Sequence, residues 1–325
     1  MIKIWGTSFS LIGDLIMSLP QLNYFKKKYK DTYINFVIHK KIAYCAPLFF
    51  NHPYIDKIII SGEWSSFSSN DYNIASNCDV VTTKLDHKNK KILDRNHEDK
   101  YWYNKRSCID ETAFMSGITD FNDILSKNER IPYLNKWFDA GFEDVQKKGA
   151  YTYEKVHSKK NHILSKSVAI WPFAGYGRSK NRNPSLDWWK RLVLDFNKKS
   201  IKVFHFGYIN EPNLSENNTY YEKLTDLDFF SQIKISLSSK LSIGTDSGSM
   251  WVLSAYSHPS LIISTNWYEN HKTNLLATVP PNINSEIIFK ENGFESLSVE
   301  EVFEKSIKRG VSSVNKIDKV FSFFK

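Results

Sequence analysis

The amino-acid sequence predicts an α/β fold made of two successive doubly wound halves. Three observations lead to this prediction. The 325 residues are long for one compact domain and sufficient for two of about 160 residues each. Strand patterns alternate with helical patterns in both halves, which is typical of βαβ units and parallel sheets. A polar, basic stretch at residues 154–166 separates the two series and has the composition of a linker.

The first half opens with a short apolar strand, a loop that contains Gly13, and a helical pattern. Strands and helices then alternate up to residue 61, beyond which the chain is polar and rich in Asn, Ser and Lys. The predicted strands are residues 2–6, 33–39, 55–61, 71–75 and 79–83, and the predicted helices are residues 15–29, 43–50, 109–116 and 137–148. We therefore place the first domain at residues 1–160.

The second half begins at a buried strand that runs into a glycine-containing loop. The predicted strands are residues 167–171, 201–206, 241–244 and 260–264, and the predicted helices are residues 185–197, 248–256 and 298–308. We place the second domain at residues 161–325, with its last helix as a candidate for packing back on the first domain. Because doubly wound folds bind ligands beyond the carboxyl ends of their strands, the expected site is the cleft between the two halves.

Composition excludes several classes of protein. Hydrophobic residues make up 41% and aromatic residues 15% of the chain, enough for large cores, which excludes global disorder. The 3 cysteines, at positions 45, 78 and 108, fit neither a disulfide framework nor a CxxC metal site, so we expect a reducing, cytoplasmic compartment. The sequence lacks the pattern of a signal peptide and any long apolar window, so we expect neither secretion nor a membrane span.

The net charge of +9 favours an anionic partner, and nucleic acid, an anionic membrane face and a phosphorylated substrate would all suit it. No RRM, helix-turn-helix or zinc-finger pattern accompanies the charge, so we do not expect nucleic acid. The histidines lack metal-ligand spacing, and Asp226-Leu227-Asp228 matches a DxD metal motif where a helix should start, which favours capping. We therefore predict no metal site and no cofactor.

Asp14 follows Gly13 at the start of the first predicted helix. An Asp there could cap the helix by accepting hydrogen bonds from its free N–H groups, which stabilises a helix by about 1 kcal/mol. Alternatively, it could serve as a catalytic base. The sequence leaves both interpretations open.

The loop after the strand at residues 167–171 combines two glycines with three cations. Gly175 and Gly177 would let the backbone approach a phosphate closely, and Arg178, Lys180 and Arg182 would offset its charge. The loop lacks the third glycine of a dinucleotide fingerprint and the GK[ST] ending of a P-loop, so a solvated turn is the alternative.

A third loop follows the strand at residues 241–244, where Asp246 precedes a predicted helix. The backbone N–H groups of Ser247, Gly248 and Ser249 could point at a phosphate, with the helix dipole adding attraction. An ordinary helix start without a ligand is the alternative.

The order and spacing of these loops resemble the heptosyltransferase family of two-domain (GT-B) glycosyltransferases. That family has an N-terminal GD-x-x-x-x-x-P segment, a glycine loop that ends in a basic-aromatic-proline step, and a D-[TS]-G segment. The matching segments here are Gly13-Asp14 with Pro20, Lys180-Asn181-Arg182-Asn183-Pro184, and Asp246-Ser247-Gly248.

The resemblance implies two Rossmann-like domains that face a cleft, the first binding the acceptor and the second the nucleotide sugar. The implied reaction transfers a sugar from a nucleotide-diphosphate donor to a hydroxyl of a glycan or glycolipid, with inversion and without a metal ion. ADP-heptose is the family default, and GDP- or UDP-sugars remain open. A phosphorylated acceptor and peripheral contact with the inner membrane face are further options that the positive charge would suit.

Residue roles are carried over by position. Asp14 would match the catalytic base. The cations Arg178, Lys180 and Arg182 and the helix start Ser247, Gly248 and Ser249 would match the phosphate-binding groups, while Glu211 and Asp246 would contact the donor ribose or sugar. Gly13, Gly175, Gly177 and Trp251 would line the same site.

Two positions depart from the family pattern. Asn183 replaces the usual aromatic residue before the proline, and Trp251 replaces the usual histidine three residues after the glycine of the D-[TS]-G segment. These departures leave the donor sugar and the nucleotide base open. A catalytically silent sugar-nucleotide-binding or interaction protein of the same fold is the rival interpretation, and an intact Asp14 argues against it.

Overall fold

The computed structural model of the chain describes residues 2–5, 11–29, 32–49, 52–61, 79–83, 121–126, 129, 134, 166–175, 182–265 and 284–312. These residues belong to two compact units, one of described residues between 2 and 134 and the other of described residues between 166 and 312. Each unit contains one parallel sheet, which confirms the predicted α/β class. The predicted domain boundary at residues 160 and 161 lies outside the described residues and stays a prediction.

A four-stranded parallel sheet is the framework of the first unit. Its elements are β1 (Ile2–Trp5), α1 (Ile12–Met17), α2 (Leu19–Lys28), β2 (Thr32–His39), β3 (Lys57–Ser61), β4 (Asp79–Thr83) and α3 (Phe121–Ile124). The strand order is β1-β2-β3-β4. Residues 34–38 of β2 are all buried, as expected for a strand covered on both faces of a parallel sheet.

The predicted helix at residues 15–29 is two helices that meet at Ser18. Pro20 is the second residue of α2, and a proline is tolerated there because the N–H groups of the first turn have no intrahelical partner. The Ser18 hydroxyl donates a hydrogen bond of 2.7 Å to the Leu15 carbonyl oxygen at the junction. The predicted helix at residues 43–50 is a 3-10 helix, Lys40–Phe49, with a kink at Ile42. The predicted strand at 71–75 and helices at 109–116 and 137–148 lie outside the described residues.

Six parallel strands form the sheet of the second unit. The elements are β5 (Val168–Trp171), α4 (Leu186–Lys198), β6 (Val203–His205), β7 (Tyr221–Lys223), α5 (Phe229–Ser238), β8 (Leu241–Thr245), α6 (Gly248–Ala255), β9 (Ser260–Thr265), β10 (Ser285–Lys290) and α7 (Val299–Lys308). The order β10-β9-β8-β5-β6-β7 is that of a Rossmann sheet. The direction in which successive strands are added reverses between β5 and β8, and the ligand sites of such folds lie at this reversal.

All seven strands and helices that we predicted for the second half are confirmed, but β7, β10 and the extent of α5 were not predicted. β7 and β10 are edge strands of the sheet. β7 has only three residues, and the apolar run of β10 is limited to residues 287–289 among polar, half-buried residues. Asp228 is the N-cap of α5 and accepts a hydrogen bond of 3.0 Å from the backbone N–H of Ser231. The DxD sequence therefore caps a helix, as predicted.

The helices α4 and α7 cover the sheet of the second unit together. The Trp188 indole donates a hydrogen bond of 2.8 Å to the Leu297 carbonyl oxygen just before α7, and the rings of Phe196 and Phe303 lie 5.2 Å apart. Trp189 is fully buried in the same core, so the Trp188-Trp189 pair packs the interior. The last helix that we predicted is α7, and its packing on the first domain stays a prediction.

Across the described part of the chain, no helix combines the length and the apolar character that crossing a membrane requires.

We expect His258 to make the stability of the second unit depend on pH. Burial lowers the pKa of His258 to about 3, whereas an unfolded chain gives histidine a pKa of about 6.5. Between these values the unfolded state binds a proton that the folded state does not, so the free energy of unfolding falls as the pH falls. From pH 7.5 to 5, this amounts to about 2 kcal/mol, and the variant His258→Leu should lack this loss. Urea unfolding of both proteins at both pH values measures it, and parallel pH dependences would contradict the assignment.

Candidate functional site

The reversal of strand order in the second unit brings two loops together. β5 and β8 are hydrogen-bonded neighbours, and they end at Trp171 and Thr245 on the same edge of the sheet. The loops that follow them are the second and third loops that the sequence singled out. The structure therefore places both phosphate-binding candidates in one region of one unit.

Arg182 and Asp246 connect these two loops. The Arg182 guanidinium donates a hydrogen bond of 3.1 Å from Nη2 to the backbone carbonyl oxygen of Asp246. This contact holds a cation beside the start of α6. Arg182 of the first loop and the helix start of the second therefore lie side by side, as an anion-binding site requires.

Asn183 closes the first loop. Its side-chain oxygen accepts a hydrogen bond of 2.7 Å from the backbone N–H of Ala174, nine residues earlier. Gly175, the next residue, has a φ of +57°, in the left-handed region that favours glycine. The residue that departs from the family pattern thus has a structural task in this chain. Gly177, Arg178 and Lys180 lie outside the described residues, and their predicted roles stay predictions.

The first turn of α6 supplies backbone donors at the same site. Ser247 is the N-cap, with extended backbone, and its side chain makes no capping hydrogen bond. Ser247, Gly248 and Ser249 are half-buried. The first N–H groups of a helix have no intrahelical acceptor and carry partial positive charge, so they suit a phosphate.

Trp251 orients the side chain of Asp246. Its indole N–H donates a hydrogen bond of 3.0 Å to Oδ1 of Asp246, and both residues are buried. The second departure from the family pattern therefore fixes a carboxylate beside the Arg182 contact. The position alone could not reveal this, because the sequence does not show which polar atom an indole N–H will meet.

Glu211 follows β6 and is turned into the unit. Its side chain is 0% exposed, and its Oε2 lies 3.0 Å from Nε2 of His205. Its Oε1 accepts a hydrogen bond of 3.0 Å from the backbone N–H of Tyr208. We predicted that Glu211 contacts a donor ribose, and the structure shows that its carboxylate already has two hydrogen-bond partners in the interior.

His205 is a residue that our sequence reasoning missed. A histidine at the end of an apolar strand, followed by Gly207 and an acidic residue, was the available signal. Burial lowers the pKa of His205, against the opposing effect of the Glu211 hydrogen bond, so the ring is neutral near pH 7.

The two N-terminal site residues, Gly13 and Asp14, belong to the first unit. Gly13 and Asp14 are the second and third residues of α1, and Gly13 is half-buried. Asp14 therefore stands inside the first turn of α1 and not at the cap position. An acidic residue in the first turn of a helix complements the helix dipole. Its role as a base stays a prediction.

Metal-binding clusters are absent from the described residues, where no three His, Cys, Asp or Glu side chains come together in a way that could hold an ion. Among the residues that the structure describes at the strand-order reversal, Arg182 and the first turn of α6 supply positive charge.

Comparison with solved structures identifies the fold. Neither a family model nor a curated protein sequence matches the chain. E. coli ADP-heptose lps heptosyltransferase II is similar over 95% of this chain and 98% of its own, with a TM-score of 0.61 and 13% identity. A family 9 glycosyl transferase from Veillonella parvula is similar over 95% and 97%, with a TM-score of 0.59 and 13% identity. E. coli heptosyltransferase WaaC, solved with ADP, is similar over 95% and 100%, with a TM-score of 0.53 and 11% identity. The chain therefore has the GT-B fold of these glycosyltransferases.

Proposed function

We propose that the protein is a glycosyltransferase that transfers a sugar from a nucleotide-diphosphate donor to a hydroxyl group of a glycan or glycolipid. The observation that carries the proposal is the meeting of Arg182, Asp246 and the first turn of α6 at the strand-order reversal of the second unit. A cation and free backbone N–H groups are the elements that bind a diphosphate. The likeness of the fold to heptosyltransferases supports the same activity.

In the proposed reaction, the oxygen of the acceptor hydroxyl attacks the anomeric carbon of the donor sugar. A new bond forms between these atoms while the bond from the anomeric carbon to the diphosphate oxygen breaks, which inverts the configuration. Asp14 takes the proton of the hydroxyl as a general base. The leaving diphosphate gains negative charge, and Arg182 with the N–H groups of α6 stabilises it without a metal ion.

We propose the donor from what the similar solved structures are named for. One of them was solved with ADP and another is an ADP-heptose enzyme, so an ADP-linked heptose is the first donor to test. GDP- and UDP-sugars are the alternatives, because Asn183 and Trp251 replace family residues at the site. A phosphorylated acceptor, contact with a membrane face and a cytoplasmic location stay predictions from charge and composition.

A thermal-shift experiment with ADP, GDP and UDP tests the proposal. We expect one of them to stabilise the protein selectively, by about 2.7 kcal/mol at a concentration one hundred times its dissociation constant. The matching nucleoside without phosphates is the control, and it should stabilise the protein far less because the proposed contacts are to phosphate. No stabilisation by any of the three would contradict the proposal.

Turnover of the corresponding nucleotide sugar then separates an enzyme from its silent relative. Release of the nucleoside diphosphate in the presence of a glycan or glycolipid acceptor supports the transferase. Selective nucleotide binding without release, over a panel of donor sugars and acceptors, would support a sugar-nucleotide-binding protein. Mass spectrometry of any nucleotide that copurifies would identify the base directly.

A further inference from the structure

We refer to residues 207–211, the loop after β6, as the β6 loop. A series of buried hydrogen bonds connects this loop to β6 and β7. Nδ1 of His205 lies 2.8 Å from the Tyr221 hydroxyl oxygen, which also accepts a hydrogen bond of 3.1 Å from the Leu214 backbone N–H. On its other side, the His205 ring meets the Glu211 carboxylate, which accepts the Tyr208 N–H. The series of hydrogen bonds thus runs from β7 through β6 into the β6 loop.

One protonation pattern gives a partner to Tyr221, His205 and Glu211 in this series of hydrogen bonds. Burial raises the pKa of Tyr221, so its hydroxyl stays protonated and donates to Nδ1 of His205. The neutral His205 ring then carries its proton on Nε2 and donates to Glu211. The Glu211 carboxylate accepts from both the ring and the Tyr208 N–H. The side chains of His205 and Glu211 are both 0% exposed, so this hydrogen-bonded series offers no surface to a ligand.

Gly207 makes room for the carboxylate. Its φ is +145°, and a Cβ at this position would lie 2.3 Å from both carboxylate oxygens of Glu211. The Gln232 amide also holds the Gly207 backbone, accepting from its N–H at 2.9 Å and donating to its carbonyl oxygen at 3.1 Å. Lys223 donates to the backbone carbonyl oxygens of Ile209 and Glu211. The β6 loop is therefore fixed at both ends.

This fixed loop exposes two large apolar side chains. Tyr208 is 60% and Ile209 64% exposed, the highest values among the large hydrophobic residues that the structure describes. They follow the carboxyl end of β6, and β6 pairs with β5, whose own end lies at the strand-order reversal. In Rossmann folds the second strand ends beside the nucleoside, where an acidic residue often binds the ribose. Here the acidic residue is buried, and an aromatic ring and an alkyl group are exposed in its place.

We propose that Glu211 is a positioning residue which, with His205 and Tyr221, fixes the β6 loop, and that the loop binds the nucleobase of the donor through Tyr208 and Ile209. This proposal rests on the proposed function, because it assumes a nucleotide donor. An aromatic ring stacks on any nucleobase, whereas the Glu211 side chain is 0% exposed and so presents no surface to the ribose hydroxyls. Recognition at this strand end would therefore be apolar contact with the base and not hydrogen bonding to the ribose.

Calorimetry with matched ligands tests the assignment. The ligands are ADP, GDP and UDP, the 2′,3′-dideoxy form of each, and inorganic pyrophosphate. With the wild-type protein, we expect the dideoxy form of the preferred nucleotide to bind within about threefold of its parent. The variant Tyr208→Ala should bind that nucleotide about tenfold more weakly, with unchanged melting temperature and unchanged pyrophosphate affinity. Leu194→Ala is the matched control, because Leu194 is 50% exposed on α4 and should leave nucleotide affinity unchanged.

Two variants of Glu211 separate positioning from direct contact. Glu211→Gln retains an oxygen for the Tyr208 N–H, and its amide NH2 can donate to Nε2 of His205 once the ring proton moves to Nδ1, where the Tyr221 oxygen accepts it. This variant should bind the nucleotide nearly as well as the wild type. Glu211→Ala removes the partner of both groups, and should weaken nucleotide binding about as much as Tyr208→Ala while pyrophosphate affinity stays within twofold. A general loss of structure would weaken pyrophosphate binding as well, and that result would count against a positioning role.

The outcomes distinguish this proposal from the proposed function. If the wild-type protein binds none of the nucleotides and no pyrophosphate, the proposed function fails. If it binds a nucleotide but loses tenfold or more with the dideoxy form, and Glu211→Gln abolishes this difference, then Glu211 is a ribose ligand and the present proposal is wrong. Unchanged nucleotide affinity in Tyr208→Ala would also overturn it.

Discussion

Replacing Asp14 with Asn is expected to lower turnover by roughly 10²- to 10⁴-fold while leaving the fold intact. Asn has nearly the shape of Asp but cannot accept a proton from the acceptor hydroxyl. Asp14 is the third residue of α1. Removing one acidic charge from the first turn of a helix costs at most about 0.3–1 kcal/mol, too little to unfold a protein. The measurement is the rate of nucleoside diphosphate release with a competent donor and acceptor, together with the melting temperature.

Asp123→Asn is a suitable control for this experiment. Asp123 is an exposed acidic residue in the first turn of α3, also in the first unit, so it shares the dipole effect without a proposed role in catalysis. We expect normal turnover in this variant. If Asp14→Asn retained more than about a tenth of the wild-type rate, Asp14 would not be the general base.

Replacing Arg182 with Ala is expected to weaken binding of the nucleoside diphosphate by about 10- to 150-fold. A charge-assisted hydrogen bond to phosphate contributes about 1.5–3 kcal/mol, and this variant also removes the hydrogen bond to the Asp246 carbonyl oxygen. The loss should be smaller at high salt, where the charge is screened. Calorimetric titration at two ionic strengths measures both effects.

Arg191 provides the matched control, because it lies on α4 of the same unit and its side chain is exposed beside Glu300. Arg191→Ala should keep the wild-type affinity. Arg178→Ala and Lys180→Ala complete the series, since the sequence predicts that at least one of the three cations binds the diphosphate. Unchanged affinity in all three would show that the loop after β5 is not the phosphate site.

Much of the second unit could be predicted from sequence because its central strands are apolar runs and its long helices begin at capping residues. The predicted helices start at Ser185 and Ser298, and in the structure both side chains accept hydrogen bonds from the first turns of α4 and α7. The edge strands β7 and β10 carry a weaker signal, because β7 has only three residues and the apolar run of β10 is limited to residues 287–289. In the first unit, the break at Ser18 depended on the position of Pro20 within a continuous helical pattern.

The candidate site was partly predictable for a different reason. Loops that follow neighbouring parallel strands share one edge of the sheet, so the meeting of the Arg182 and Asp246 loops followed once both strands were assigned. The direction of a carboxylate does not follow in this way. Glu211 stands where a ribose ligand is expected, but whether it faces a ligand or His205 depends on the space that Gly207 leaves.

During synthesis of the chain, β5 leaves the ribosome before either of its neighbours. Its hydrogen bonds on one side come from β6, which is near in sequence, but those on the other side come from β8. Val168 therefore has no partner on that side until Leu241, with which it pairs, has been synthesised. Until then, β5 is an apolar strand with an open edge, which another chain can pair with. A nascent chain that stalls between β7 and β8 therefore exposes this open edge, and the strand beside the candidate ligand site is vulnerable to aggregation until translation reaches β8.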